Sequence, residues 1–269
     1  MRQGDSARGL DARREATPGR AGSMLLAAVA QVRGQAVERP GQDRVAAVAG
    51  MLFVVVLVVG QYVAPDPVYP EEQVGGMVDT FYVNYADRLH TQAILFGLVS
   101  VLFLFFLGGL RAFLARAEGQ EPRLAPVALA AGTVATGLGL LQAAIRAALT
   151  ALRENEVGVQ AQGSAWAARA LWFLEGALGE LALFPFAAFL VAAAAVLLRT
   201  GVLPRWLGWV GAALGLAVGV LAVGPIVGLD IEPVDRAIFL LALAWVAVLA
   251  FCLGWRLPSA AGRAGAALD

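Results

Sequence analysis

Lysine is missing from this chain altogether, and histidine and cysteine occur once each, as His90 and Cys252. The first absence excludes a Schiff-base or P-loop lysine mechanism. A single histidine excludes two-histidine haem ligation and every multi-histidine zinc site, and a single cysteine excludes an intramolecular disulfide or thiolate cluster. No cofactor and no metal is implied. Charge is scarce too: only 15% of the 269 residues are charged, twenty arginines against twenty acids, while 59% are hydrophobic. With a mean hydropathy of +0.73, the chain is too apolar for any water-facing surface to absorb, and a disordered chain requires the opposite composition. What remains is an all-α polytopic membrane protein whose first partner is the lipid bilayer. The dominance of alanine, arginine, glycine and valine points to a GC-rich bacterial genome.

A crossing of about 30 Å of hydrocarbon needs about 20 mainly apolar residues in a helix. Six stretches meet this, at about 45–63, 89–110, 126–149, 166–198, 206–229 and 237–255. They make a transmembrane domain over 45–257, preceded by a basic tail at 1–44 and followed by a short tail at 258–269. Fifteen of the twenty arginines fall in the N-terminal tail and the alternate loops that share its side, whereas the opposite loops hold most of the acids. By the positive-inside rule both termini are expected in the cytoplasm, in a bacterial inner membrane. The tail carries no adequate apolar region with a cleavage site, so it does not read as a signal peptide, and Met24 is a second candidate start.

No soluble-enzyme motif is present: there is no G-x-x-x-x-G-K-[ST], no H-E-x-x-H, no G-x-S-x-G and no complete G-x-G-x-x-G after a strand. Nucleic-acid binding has only the arginine-bearing tail in its favour, without aromatic interleaving, and is not expected. Three segments, YADRLHTQAI at 85–94, FLGGLRAFLARAEG at 106–119 and RTGVLPRWLGW at 199–209, carry a resemblance. With them the chain resembles a group of uncharacterised six-span integral membrane proteins common in actinobacteria. The resemblance implies a helical integral membrane protein and carries over neither an activity nor a site residue.

Charged residues inside a span are costly and are functional candidates by default. Glu175 and Glu180 lie in the fourth span and Arg146 and Gln142 in the third. Counting from Leu198 at about 1.5 Å per residue, Glu180 lies ~27 Å and Glu175 ~35 Å along the helix, near the outer hydrocarbon boundary. Arg146 reaches that level on the third span, where it is expected either to pair with Glu180 as a structural clasp between the two helices, or to snorkel, or to join the carboxylates in an outward-facing ligand or proton site. Five residues on a helix make about 500°, so the two carboxylates point about 140° apart and do not flank one bond as in a hydrolase. Pro185 removes a backbone hydrogen bond nearby and is expected to kink the span. His90, beside Asp87 and Arg88 at the mouth of the second span, is either an interfacial polar residue or a group titrating near neutrality.

Gly211, Gly215 and Gly219 recur every four residues on the fifth span and stack on one face that admits a close helix. Packing inside the bundle is one use for that face and a homo-oligomer is the other. Gly132, Thr133, Thr136 and Gly137 give the third span a similar face. Between the first two spans, Met77, Val78, Phe81, Tyr82 and Tyr85 predict a short interfacial helix, either lying at the headgroups or covering an outward cavity. The leading functional expectation is a small transporter or ligand-binding bundle with an outward-facing polar site built from Arg146, Glu175, Glu180, Gln142 and His90, taking a small-molecule ligand. The alternative is a structural or regulatory protein that meets a membrane-protein partner through helix contacts. An intramembrane enzyme, suggested only by the carboxylates and His90, is third.

Overall fold

The structure is a computed structural model that describes the backbone of residues 40–64, 74–154, 162–224 and 232–255, and the side chains of 43–64, 84–150, 170–224 and 234–254. Among the described residues there are six helices and no strand. These are α1 (Pro40–Val63), α2 (Val74–Glu118), α3 (Leu124–Glu154), α4 (Gln162–Thr200), α5 (Arg205–Val223) and α6 (Glu232–Trp255). All six contain a segment long and apolar enough to cross a membrane, so the all-α six-helix membrane architecture holds. Residues 1–39 of the predicted 1–44 tail, the whole 258–269 tail and most of the 64–73 connection lie outside the described residues, while 40–44 already belong to α1.

Helices dominate because a chain in hydrocarbon must satisfy each backbone N–H and C=O within its own segment. Turns are confined to the ends. At the arginine-rich end, α2 closes on Gly119 (φ 87°) and α4 on Gly201 (φ 60°), left-handed conformations that cost glycine nothing. Their N–H groups return to the Ala115 and Leu197 carbonyls at 3.2 and 3.0 Å. Glu118 then caps the next helix, its two carboxylate oxygens accepting from the backbone N–H of Leu124 and Ala125 at 3.0 and 2.8 Å. A carboxylate there also complements the positive end of the α3 dipole. Asp43 at the start of α1 accepts from Arg116 near the end of α2 at 2.9 Å, tying the first hairpin at the same end.

One expectation is corrected here. Residues 74–88 do not form a separate interfacial helix but are continuous with the second span in the 45-residue α2. At about 1.5 Å per residue α2 runs ~67 Å, more than twice the hydrocarbon thickness, so one of its ends projects well beyond the bilayer. The side chains of Met77, Val78, Phe81 and Tyr82 lie outside the described residues.

α2 and α4 carry the core. α4 packs on α2, α3 and α5, α2 packs on α1, α3 and α4, and α6 closes the bundle against α1 and α5. Half of the spanning window of α4 is buried against only about a fifth of that of α3, which places α4 centrally and α3 at the rim. Phe103, Phe106 and Phe189 are buried and meet at ring-centroid distances of 5.6 to 5.9 Å, with Phe53 stacked on Phe103 at 4.4 Å. Exposed Val, Leu and Phe cover the remaining faces, as lipid contact requires. Pro185 sits within α4 without ending it.

The glycines of α5 serve the bundle. Trp245 on α6 donates its indole N–H to the Leu207 carbonyl at 2.9 Å. Its ring lies over Gly211, where a Cβ would come within 2.5 Å of Cζ2; at Gly215 a Cβ would meet Val191 of α4 at 2.7 Å, and at Gly219 only Ala187 at an ordinary 3.8 Å. The stripe expected from the sequence is therefore a seat for α4 and α6 at two of its three positions. Gly211→Ala is expected to lower stability by about 1–3 kcal/mol, because the ring above it has to move. Gly219→Ala is expected to be neutral or to gain up to about 1 kcal/mol from helix propensity. Thermal unfolding of the two variants in one detergent, read side by side, checks the contrast.

Candidate functional site

Polar side chains inside the apolar bundle gather at one level, toward the end opposite the arginine-rich one. α3 brings Arg146 and α4 brings Glu175. The Arg146 Nε–H donates to Glu175 Oε1 at 2.6 Å, and Nη2 of the same guanidinium also contacts that oxygen. From α2, Gln92 accepts at Oε1 from Arg146 Nη1, again at 2.6 Å, and donates through Nε2 to the Gly60 carbonyl of α1 at 2.8 Å. The guanidinium carbon also lies 5.5 Å from the centroid of the Phe96 ring. Gln92 and Phe96, four residues apart on α2, are neighbours on one face of that helix, so one turn of α2 supplies both an acceptor and an aromatic contact. Four helices are thus joined through one hydrogen-bonded chain. Gln92 is buried, and of the ion pair the Glu175 side chain is 6% exposed against 21% for Arg146, so the carboxylate is the more deeply enclosed partner.

This corrects the pairing drawn from depth. Glu180 is exposed and has no ion-pair partner among the described residues. The 140° between the two carboxylates decides it: with Glu175 turned toward α3, Glu180 is carried away from α3. His90 is also exposed, and although two residues from Gln92 it takes no part in the chain. Gln142 stands one turn from Arg146, next to Gly179, where a Cβ would lie 3.0 Å from the Gln142 amide nitrogen. Gln92 was missed by sequence reasoning. Its signal was positional, since it begins the row of Phe96, Val99, Phe103, Phe106, Leu110 and Leu114 along the inward face of α2.

One turn toward the arginine-rich end lies a cavity of about 290 Å³. α1 lends it Phe53, Leu57 and Gln61, α2 lends Phe96, Ser100 and Phe103, α3 lends Thr136, Gly139 and Gln142, α4 lends Gly179, Ala182 and Phe186, and α6 lends Phe239. Arg146, Glu175 and Gln92 do not line it; Phe96 is shared, with the guanidinium over its ring and the cavity against it. The Ser100 and Thr136 hydroxyls donate to the backbone carbonyls of Phe96 and Gly132 at 3.0 and 2.7 Å and keep their oxygen lone pairs. The Gln61 and Gln142 amides form no hydrogen bond with another described residue. A mostly apolar hollow with a few neutral polar groups has the usual make-up of a small-molecule site, at the small end of the range. One turn from Phe239 toward the opposite end, Asp235 has a buried carboxylate oxygen, Oδ1, with no hydrogen-bond partner.

The chain matches no protein-family model, no curated protein and no solved structure. The arrangement itself assigns the two features different work: the ion pair braces helices, and the cavity is where a molecule fits. Glu175→Ala takes the carboxylate from the guanidinium and leaves the Gln92 amide as its acceptor, and is expected to cost about 3 kcal/mol, the low end for breaking a buried pair. The double change Arg146→Met with Glu175→Leu recovers most of that loss, since two apolar side chains of similar volume replace the pair. Glu180→Ala is expected to stay within about 0.5 kcal/mol of the parent. Chemical unfolding of the purified variants in mixed micelles provides the comparison, and a Glu180 variant as damaged as the Glu175 one contradicts the assignment.

Proposed function

We propose that this protein is a small-molecule-binding bundle of the transporter type in a bacterial cytoplasmic membrane, with both termini on the cytoplasmic side. The partly open cavity lined by α1, α2, α3, α4 and α6 is the observation that carries this reading, because helices packed only for stability close such spaces. The arginine bias supports the orientation, and on that orientation the Arg146–Glu175 brace lies on the outward side of the cavity. The three segments resembling uncharacterised actinobacterial six-span proteins support a bacterial origin. The site moves from the carboxylates to the cavity: Gln142 stays in it, Arg146 and Glu175 become its support, and Glu180 and His90 leave it.

Access is the test. Ser100 is 5% exposed yet lines the cavity, so a cysteine there reacts only if small molecules enter. In a Cys252→Ala background, Ser100→Cys is expected to be modified by methyl methanethiosulfonate in membranes. Ala194→Cys, a fully buried position away from the cavity, is expected to stay unmodified. Intact-mass spectrometry reads both. An unreactive Ser100→Cys in folded protein removes the reading and leaves a structural bundle.

A further inference from the structure

Thirteen phenylalanines and twenty arginines are spread over this chain, and the cavity takes five of the former and none of the latter: Phe53, Phe96, Phe103, Phe186 and Phe239 line it, and no charged side chain does. From this, and resting on the reading above, we infer that the cavity binds an uncharged, mainly apolar compound with a ring or branched body and one or two hydrogen-bonding groups. An ion placed here without a counter-ion loses its hydration: an anion then meets the negative ring faces, and a cation recovers on them only part of what it loses. The Arg146–Glu175 pair does not supply one, because the two satisfy each other on the other side of Phe96, whereas Glu180 is exposed and Asp235 stands one turn beyond Phe239, outside the lining. The free amides of Gln61 and Gln142 and the lone pairs of Ser100 and Thr136 offer both donors and acceptors to a hydroxyl or carbonyl.

Size narrows the class further. A cavity of about 150 Å³ lined by apolar side chains holds a benzene, so the 290 Å³ here suits a molecule of roughly ten to fourteen non-hydrogen atoms. Bicyclic aromatic alcohols and ketones and terpenoid alcohols have that size and chemistry. A sugar or amino acid has too many polar groups for the few on offer.

Three probes on one ring system separate the possibilities: naphthalenemethanol, naphthoate and naphthylmethylammonium. Each is dialysed to equilibrium against the full chain in lipid nanodiscs, with empty nanodiscs correcting for partition into lipid. The alcohol is expected to bind saturably and at least about tenfold more tightly than either ion, given the desolvation that the ions suffer. Two filling variants are expected to abolish it. Gly139→Leu extends into open space, since a Cβ there meets nothing within 4 Å, and Ala182→Phe fills the facing wall should the first variant fold poorly. Tighter binding of the ammonium, lost in Asp235→Asn, overturns the inference and hands the site to the unpartnered carboxylate one turn from Phe239. Tighter binding of naphthoate overturns it as well, as does alcohol uptake that both filling variants leave unchanged, which is lipid partition. A reactive Ser100→Cys alongside an unbound alcohol refutes the ligand class alone, whereas an unreactive one refutes the site.

Discussion

In hydrocarbon an arginine has nowhere to leave its charge, and the way Arg146 is satisfied organises half of this molecule. Its guanidinium donates to both Glu175 of α4 and Gln92 of α2, and Gln92 passes the chain on to the Gly60 carbonyl of α1. Four helices are held in register at that level by hydrogen bonds that burial of Glu175 and Gln92 strengthens. A buried pair of this kind adds little net stability over apolar side chains of equal volume, but it strongly disfavours every arrangement in which one partner is alone. Its contribution is specificity: α3 and α4 slid by one residue would bury a bare charge.

The brace also explains why the space beside it stays open. Gln142 and Gly179 sit one turn from the two charged partners, and at Gly179 the missing side chain leaves room for the Gln142 amide. Phe96 is held under the guanidinium and presents its ring to the cavity. Toward the arginine-rich end the packing is tight: Phe106, Leu110, Leu114, Phe189, Leu190, Val196 and Leu197 are almost wholly buried, and Trp245 lies against Gly211. A tightly packed end and a polar brace thus bound a hollow between them, which is an economical way to keep a small-molecule site from collapsing.

Much of the architecture is legible from composition and spacing. Five of the six apolar runs fall within one helix each, and the fifth, 206–229, runs past the end of α5 at Val223 into residues outside those described; the α5 glycines meet α6 and α4 at two of their three positions. The site was less legible. Depth along a helix is read directly from residue count, and it brought Arg146, Glu175 and Glu180 to similar levels. Which carboxylate faces Arg146 depends on the rotation of α4 about its axis, and that is set by which of its faces buries Phe186, Phe189 and Leu190. Gln92 carries no charge and drew no attention, although it sits on the inward row of α2.

By itself, then, the sequence determined that this chain is a membrane protein of six helices, because the apolar length needed to cross a bilayer and the need to satisfy every backbone polar group leave no other solution. It also determined which polar residues would be buried at a cost. Tertiary structure alone decided that Glu175 rather than Glu180 answers Arg146, that Gly211 and Gly215 seat α6 and α4, and that five helices leave a neutral cavity beside the brace. Those outcomes depend on the rotation and register of helices against one another, which side-chain packing across hundreds of weak contacts selects and no count along one chain contains.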